Sequence, residues 1–395
     1  TVGGLQITST ATSNIGLGTN AVDSITTGDY NIGVGDNALT ATTEGSSNAG
    51  FGYNALASNT TGSENTAVGK SALGSNTTAS YNVAVGTNSL NDITTGTENI
   101  GVGYKTLYKA TTASYNTALG NTVLYENTSG HSNTAVGRNA MYSNTTASEN
   151  TAVGYGALDT NTTGSENIAI GFAALDANTT GARNTAVGKS AMATNTTASD
   201  NTVVGNVALN QNTTGASNTA VGKAALQANT TASWNTAVGA NSLDANTTGD
   251  SLVAVGYNAL GANTTAASNS ALGYYALAVN TTGAANTAIG QSSMATNTTG
   301  HSNVAVGSEA LRYETTGTNN VAIGFQAAKQ MTTGSRNTAL GSDALELIST
   351  GENNVAIGAN ALDANETASN NTAVGYASLG ANTTGAHNSA LGYQA

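Results

Sequence analysis

The sequence predicts an all-β fold, a parallel β-solenoid (β-roll) with one coil per repeat. Three observations predict it. First, Asn-Thr-Ala-Val-Gly stands at Asn65, Asn133, Asn150 and Asn184, and related segments begin at Asn82, Asn99, Asn116 and Asn167, always at a step of 17 residues. The register runs from Asn14 to Asn388 without an insertion or deletion. Constant spacing makes each repeat one geometric unit stacked on the next. Second, the short β-branched run that opens each repeat reads as a strand. Third, a Gly in every repeat, among β-branched residues, disfavours helix.

Each position of the repeat forms a column. Column 1 is Asn in every copy except Leu252. Column 2 is Thr, Ile, Val or Ser, with one Ala at Ala49. Column 3 is Ala or Gly except at Val203, and column 4 is always apolar, as in Val68, Leu119 and Ile170. Columns 1–4 therefore form the strand. Column 5 is Gly in every copy from Gly18 to Gly392, which points to a positive φ or a close backbone approach. Columns 8 and 9 read Ala-Leu, as in Ala157-Leu158, and a second short strand is expected over columns 7–10. Columns 12–15 read Asn-Thr-Thr-Gly or Asn-Thr-Thr-Ala, which is turn chemistry. The column-1 Asn residues either form an amide ladder along the stack or bond their own backbone in a turn.

The whole chain, 1–395, reads as a single repeat array with no linker. A partial first coil spans 1–13, with Leu5 in the column of Val22 and Leu39. Full repeats fill 14–387, and a truncated last coil spans 388–395. At a strand spacing of about 4.8 Å, such a stack makes a rod of roughly 110 Å. Thr1 opens the chain, which reads as processed or as a piece of something longer.

Composition narrows the function. The chain has 48 Gly, no Pro and no Cys, and only 8% of its residues are charged, against about a quarter in an ordinary domain. Without Cys there are no disulfides, no thiol catalysis and no thiolate metal sites. The net charge of −12 disfavours nucleic acid. No apolar run approaches the ~20 residues of a membrane span, so membrane insertion is not expected.

Alternation places columns 2 and 4 on one face of the strand and column 3 on the other. Restriction of column 3 to Ala and Gly implies a crowded face, and columns 8 and 9 point to opposite sides of a second strand. A thin coil has one narrow interior, so the second restricted face needs an outside cover. The same surface on a symmetry mate is the simplest one. The expectation is a homo-oligomer about a common axis, a trimer, with column 3 on the crowded axis.

The run Asn-Thr-Ala-Val-Gly-x-x-Ala-Leu-x-x-Asn-Thr-Thr-Gly, as at Asn150–Gly164, resembles repeats of phage and algal-virus tail fibres and of large bacterial surface proteins. Its first half is similar to the Ser-Val-Ala-Ile-Gly motif of trimeric autotransporter adhesin heads. The resemblance spans nearly the whole chain. It implies a trimeric left-handed parallel β-roll and an extracellular position on a virion or cell surface, although the present repeat is longer than the adhesin one.

Catalysis needs unlike residues converging on one pocket, and a uniform repeat presents the same side chains in every coil. His131, His301 and His387 lie many coils apart in turn columns, and the column-10 acids Asp159, Asp176, Asp244 and Asp363 read as a solvated edge. No catalytic residue, metal ligand or cofactor is expected, and the chain reads as non-enzymatic. Two surface features remain. Column 6 carries Tyr104, Tyr155, Phe172, Tyr257, Tyr274, Phe325 and Tyr376, besides Tyr53 and Tyr393, an aromatic ladder able to stack on cell-surface glycans. Column 12 offers Asn-x-Thr/Ser acceptors for N-glycosylation, including Asn59, Asn76, Asn144, Asn161 and Asn178.

The leading expectation is a structural fibre, the shaft of a tail fibre or of a trimeric surface adhesin, supporting attachment to a host or surface. Two alternatives stand beside it. One is a self-assembling extracellular filament, since a bare solenoid end is a sticky edge. The other is a carbohydrate- or ice-binding solenoid presenting the Thr ranks of columns 13 and 14.

Overall fold

The computed structural model describes residues 5–6 and 13–395. The chain forms two compact units, Thr1–Ser199 and Asp200–Ala395. Most of the partial coil expected over 1–13 lies outside the described residues. Of it, strand β1 (Leu5–Gln6) runs antiparallel to β2 (Ile15–Leu17), with Leu5 opposite Leu17.

In the first unit, three-residue strands follow one another from β2 to Thr185–Val187, and each pairs in parallel with the next. In the second unit the strands run from Thr202–Val204 to Ser389–Leu391 in the same manner. Register is never shifted: Thr151, Ala152 and Val153 face Ile168, Ala169 and Ile170 on the next coil. Both units are β-solenoids with 17 residues per coil and no helix among the described residues.

The coil 150–166 shows how the sequence closes one turn. Thr151 N–H donates to Asn167 O at 2.8 Å, and Gly154 N–H donates to Val136 O at 2.8 Å. Gly154 sits at φ +141, and a Cβ there would lie 2.4 Å from Gly171 O. Both the conformation and the space demand glycine.

From Asn14 onward, the expected second strand is absent among the described residues. Position 156 (column 7) has φ 61 and Leu158 (column 9) has φ 57, both left-handed, and Glu166 in column 17 adds φ 61. These inversions break the alternation of a strand. Ala157 and Leu158, expected on opposite sides, are both fully buried. A left-handed non-Gly residue persists only where its surroundings over-determine it. Leu158 is held by its buried side chain and by its N–H, which donates to Ala174 O at 3.0 Å.

The interior is lean. Column 3 (Ala152, Ala169, Ala220), column 8 (Ala157) and column 9 (Leu158, Met192) fill it, together with the Asn residues of columns 1 and 12. Column 3 therefore faces the inside of its own coil and not an axis shared between copies. Its restriction to Ala and Gly follows from the narrow space beneath the column-9 Leu: at Gly50 an added Cβ would meet Leu39 Cγ at 3.4 Å. Val203 is fully buried there too.

The two readings of the column-1 Asn are both realised. Asn65 Nδ2 donates to Asn48 Oδ1 at 3.1 Å on the preceding coil and to Ala79 O at 2.9 Å in its own. The Asn65 N–H donates to the same Asn48 Oδ1 at 3.0 Å. Such a buried amide links two coils and closes one, leaving few polar groups orphaned in the interior.

Candidate binding faces

Three kinds of outward surface result from this coil. The first is the strand face. In the strands from Ile15–Leu17 to Thr372–Val374 the middle residue is buried and the flanking columns 2 and 4 point out, as in Thr66–Val68 and Thr236–Val238. No column-4 side chain is buried in either unit, and Leu119, Ile170, Leu272 and Ile323 are all exposed. Each unit therefore carries an uncharged stripe of aliphatic and β-branched side chains. The restriction noted for column 3 belongs to the interior, and the face lacking a cover is this one.

The second is the aromatic surface. The column-6 rings are about half exposed, from Tyr257 at 44% to Phe172 and Phe325 at 53%, and Tyr393 is more exposed still. They are brought together in pairs. Tyr155 stacks on Phe172 with centroids 5.4 Å apart, Tyr257 on Tyr274 at 5.6 Å, and Tyr376 on Tyr393 at 5.3 Å. Each pair gives one face of each ring to its neighbour; Arg138 lies 5.8 Å from the Tyr155 ring, Lys189 6.0 Å from that of Phe172, and Tyr275 packs edge-on against Tyr274 at 4.5 Å. Tyr104 and Phe325 have Thr87, Asn121, Ser308 and Ser342 as column neighbours and stack with no column-6 ring.

A larger aromatic group lies in column 10, which sequence reading passed over. Tyr108, Tyr125 and Tyr142 stack at 5.2 and 5.1 Å with interplanar angles of 14° and 6°. Lys105 lies 5.4 Å from the Tyr104 ring and 5.1 Å from that of Tyr108, and Lys109 pairs with Glu126 at 2.7 Å. The signal was three Tyr residues at consecutive steps of the repeat.

The third surface is the turn. Here the structure corrects the glycosylation expectation. Asn59, Asn76, Asn144, Asn161 and Asn178 are fully buried. Their amides form a second ladder: Asn76 Nδ2 donates to Asn59 Oδ1 at 2.8 Å, Asn161 to Asn144 at 3.1 Å, and Asn178 to Asn161 at 2.8 Å. Both Nδ2 hydrogens are engaged, as Asn161 donates also to Gly164 O at 2.9 Å, so a glycan would replace one of them and has no room inside the coil. The column-13 Thr hydroxyls are also engaged, since Thr162 Oγ1 donates to Thr179 O at 3.0 Å. The column-14 rank, such as Thr146 and Thr163, is exposed, whereas most column-13 residues are half-buried.

The titratable groups do not converge. Burial raises the Asp159, Asp176 and Asp244 carboxyls, and the Asp176 charge adds to the rise at Asp159. Lys329, Gln326 and Arg312 bond to Glu309 and hold its carboxyl below the usual range, the Lys329 hydrogen bond most of all. Among the described residues, no three acidic or His side chains gather where a metal ion would fit. No helix is long and apolar enough to cross a membrane.

These features define a class, the tandem-repeat β-solenoids. No family model matches the sequence, and no curated protein matches it.

Proposed function

We propose that this protein is a non-catalytic structural fibre, a shaft segment of a tail fibre or surface adhesin that supports attachment from the outside of a virion or cell. One observation carries the reading: the exposed stripe of columns 2 and 4, repeated at every coil of each unit. An exposed apolar column repeated over many coils, here column 4 flanked by the Thr and aliphatic residues of column 2, marks an interaction site. Copies of the same chain carry the same stripe at the same strand spacing, so they can cover one another in register about a common axis. A homotrimer is the simplest closed arrangement, and no cofactor enters this role.

Sedimentation of the purified chain tests the proposal. A trimer mass is expected for the wild type. A protomer mass is expected when Lys replaces Val153 and Val238, because buried unpaired charges are costly. A wild-type chain that sediments as a monomer at micromolar concentration refutes the assembly. The half-exposed rings of column 6 favour a second reading, contact with cell-surface sugars. Loss of glycan-array binding on Tyr155→Ala and Phe172→Ala is its check.

A further inference from the structure

Column 12 contains one acid. Glu314 occupies the place that Asn297 holds one coil earlier and Met331 one coil later, and it is fully buried. Elsewhere in this column Asn Nδ2 groups donate to the Asn Oδ1 one coil before, as Asn195 does to Asn178 at 2.7 Å and Asn246 to Asn229 at 3.2 Å. Glu314 breaks that chain, because a carboxylate brings an acceptor where the ladder needs a donor. Two buried oxygens are left without a partner, Asn297 Oδ1 and Glu314 Oε2. The other carboxyl oxygen, Oε1, accepts from Asn320 Nδ2 at 3.3 Å. Asn76 Oδ1 is orphaned in the same way where the next column member is Ile93, which has no polar atom.

We propose that Glu314 is a neutral carboxylic acid whose hydroxyl donates to Asn297 Oδ1, and that loss of this proton loosens the coils around it. One proton on Oε2 satisfies both orphaned oxygens and restores the ladder's donor. Ionisation passes that proton to solvent and leaves a buried negative charge facing an amide oxygen, which is unfavourable on both counts. Burial is the dominant influence and pushes this carboxyl up to about 8, against a smaller opposing effect of the Asn320 hydrogen bond.

No neighbouring charge compensates. The titratable groups of the three coils concerned are His301, Glu309, Arg312, Tyr313, Lys329 and Arg336. Arg312 and Lys329 both bond to Glu309, and Arg312 lies 5.3 Å from the Tyr313 ring. Arg336 bonds to Glu352 and Asn353, and His301 lies against Ser302. None of them bonds to Glu314.

The sign follows from linkage. The closed coil holds the proton up to about pH 8, whereas an opened coil releases it in the ordinary carboxyl range. Closure is therefore fully supported at low pH, and the support declines as pH rises between those two values. The device is an alkaline-sensitive point set into one coil of the second unit.

Hydrogen exchange of the full chain tests this, read over residues 297–331 from pH 5 to 9. Two variants serve as references at each pH. Glu314→Gln keeps the size and supplies a permanent donor. Glu314→Asn restores the column's own residue and remains available should the Gln variant fold poorly. The wild-type opening rate relative to either reference is expected to grow about tenfold per pH unit until about pH 8 and then level off. The infrared difference between wild type and variant at pH 7 should contain the carbonyl band of one protonated carboxylic acid. A pH-independent ratio, or a difference spectrum showing only carboxylate, overturns the proposal.

Discussion

Replacing Asn150 by Ala tests whether the amide ladder holds the coils together. Asn150 is buried, and its Oδ1 accepts the Asn167 N–H at 2.9 Å. Its Nδ2 donates to Asn133 Oδ1 at 3.2 Å and to Ser148 O at 3.1 Å. Alanine removes all three bonds. Asn133 Oδ1 keeps one donor, the residue-150 backbone N–H at 3.0 Å, so only part of that bond set is lost. The buried Asn167 N–H loses its acceptor, at about 1–3 kcal/mol for a buried unsatisfied donor. With the lost Nδ2 bonds, the sum is on the order of 3 kcal/mol.

A solenoid responds to such a change locally, because each coil touches only its neighbours. A single global unfolding energy would blur the effect. Amide exchange around residues 150–167 is the suitable assay. At 1.4 kcal/mol per decade, the loss predicts roughly 100-fold faster opening there, with distant coils of the first unit unchanged. A change below threefold would show that the ladder reports the fold without stabilising it.

Further predictions concern other columns. Leu252 offers no oxygen to the Asn269 N–H, and Asn235 Nδ2 is buried without a partner in the adjacent coil. Leu252→Asn should slow exchange at Asn269 about tenfold, the equivalent of one restored bond. Gly154→Val forces a side chain into φ +141 and against Gly171 O. The strained backbone alone costs about 1–3 kcal/mol, and an unchanged melting temperature would show this glycine to be incidental. Ala237→Leu fills a fully buried interior position, so it should lower thermal stability by about 1–3 kcal/mol through overpacking. Light scattering on that variant should show altered mass only if the coil itself opens, since column 3 does not face other copies.

Much of this protein was legible from spacing alone. A period of 17 held without a break from Asn14 to Asn388 leaves in-register parallel stacking as the economical arrangement, because every buried polar group then meets its own kind one coil away. The invariant column-5 Gly likewise announced its backbone, as Gly154 confirms with φ +141. The Glu among the column-12 Asn residues was equally visible, but its meaning required knowing that the column is buried.

What the tertiary structure decided was direction. A three-residue strand such as Thr151–Val153 alternates, but alternation does not say which side is inside. The closure of the remaining 14 residues says so, and it turns Ala152 inward and Val153 out. That closure depends on left-handed residues such as Leu158 and Glu166, whose side chains have no intrinsic preference for the conformation. Packing of the Leu and bonds to adjacent coils select it. The same closure carries Asn161 and its column into the core, turning an apparent surface acceptor into an interior ladder. Local chemistry thus set the repeat, and the side chains it buries were chosen by how the chain had to turn to meet its own next copy.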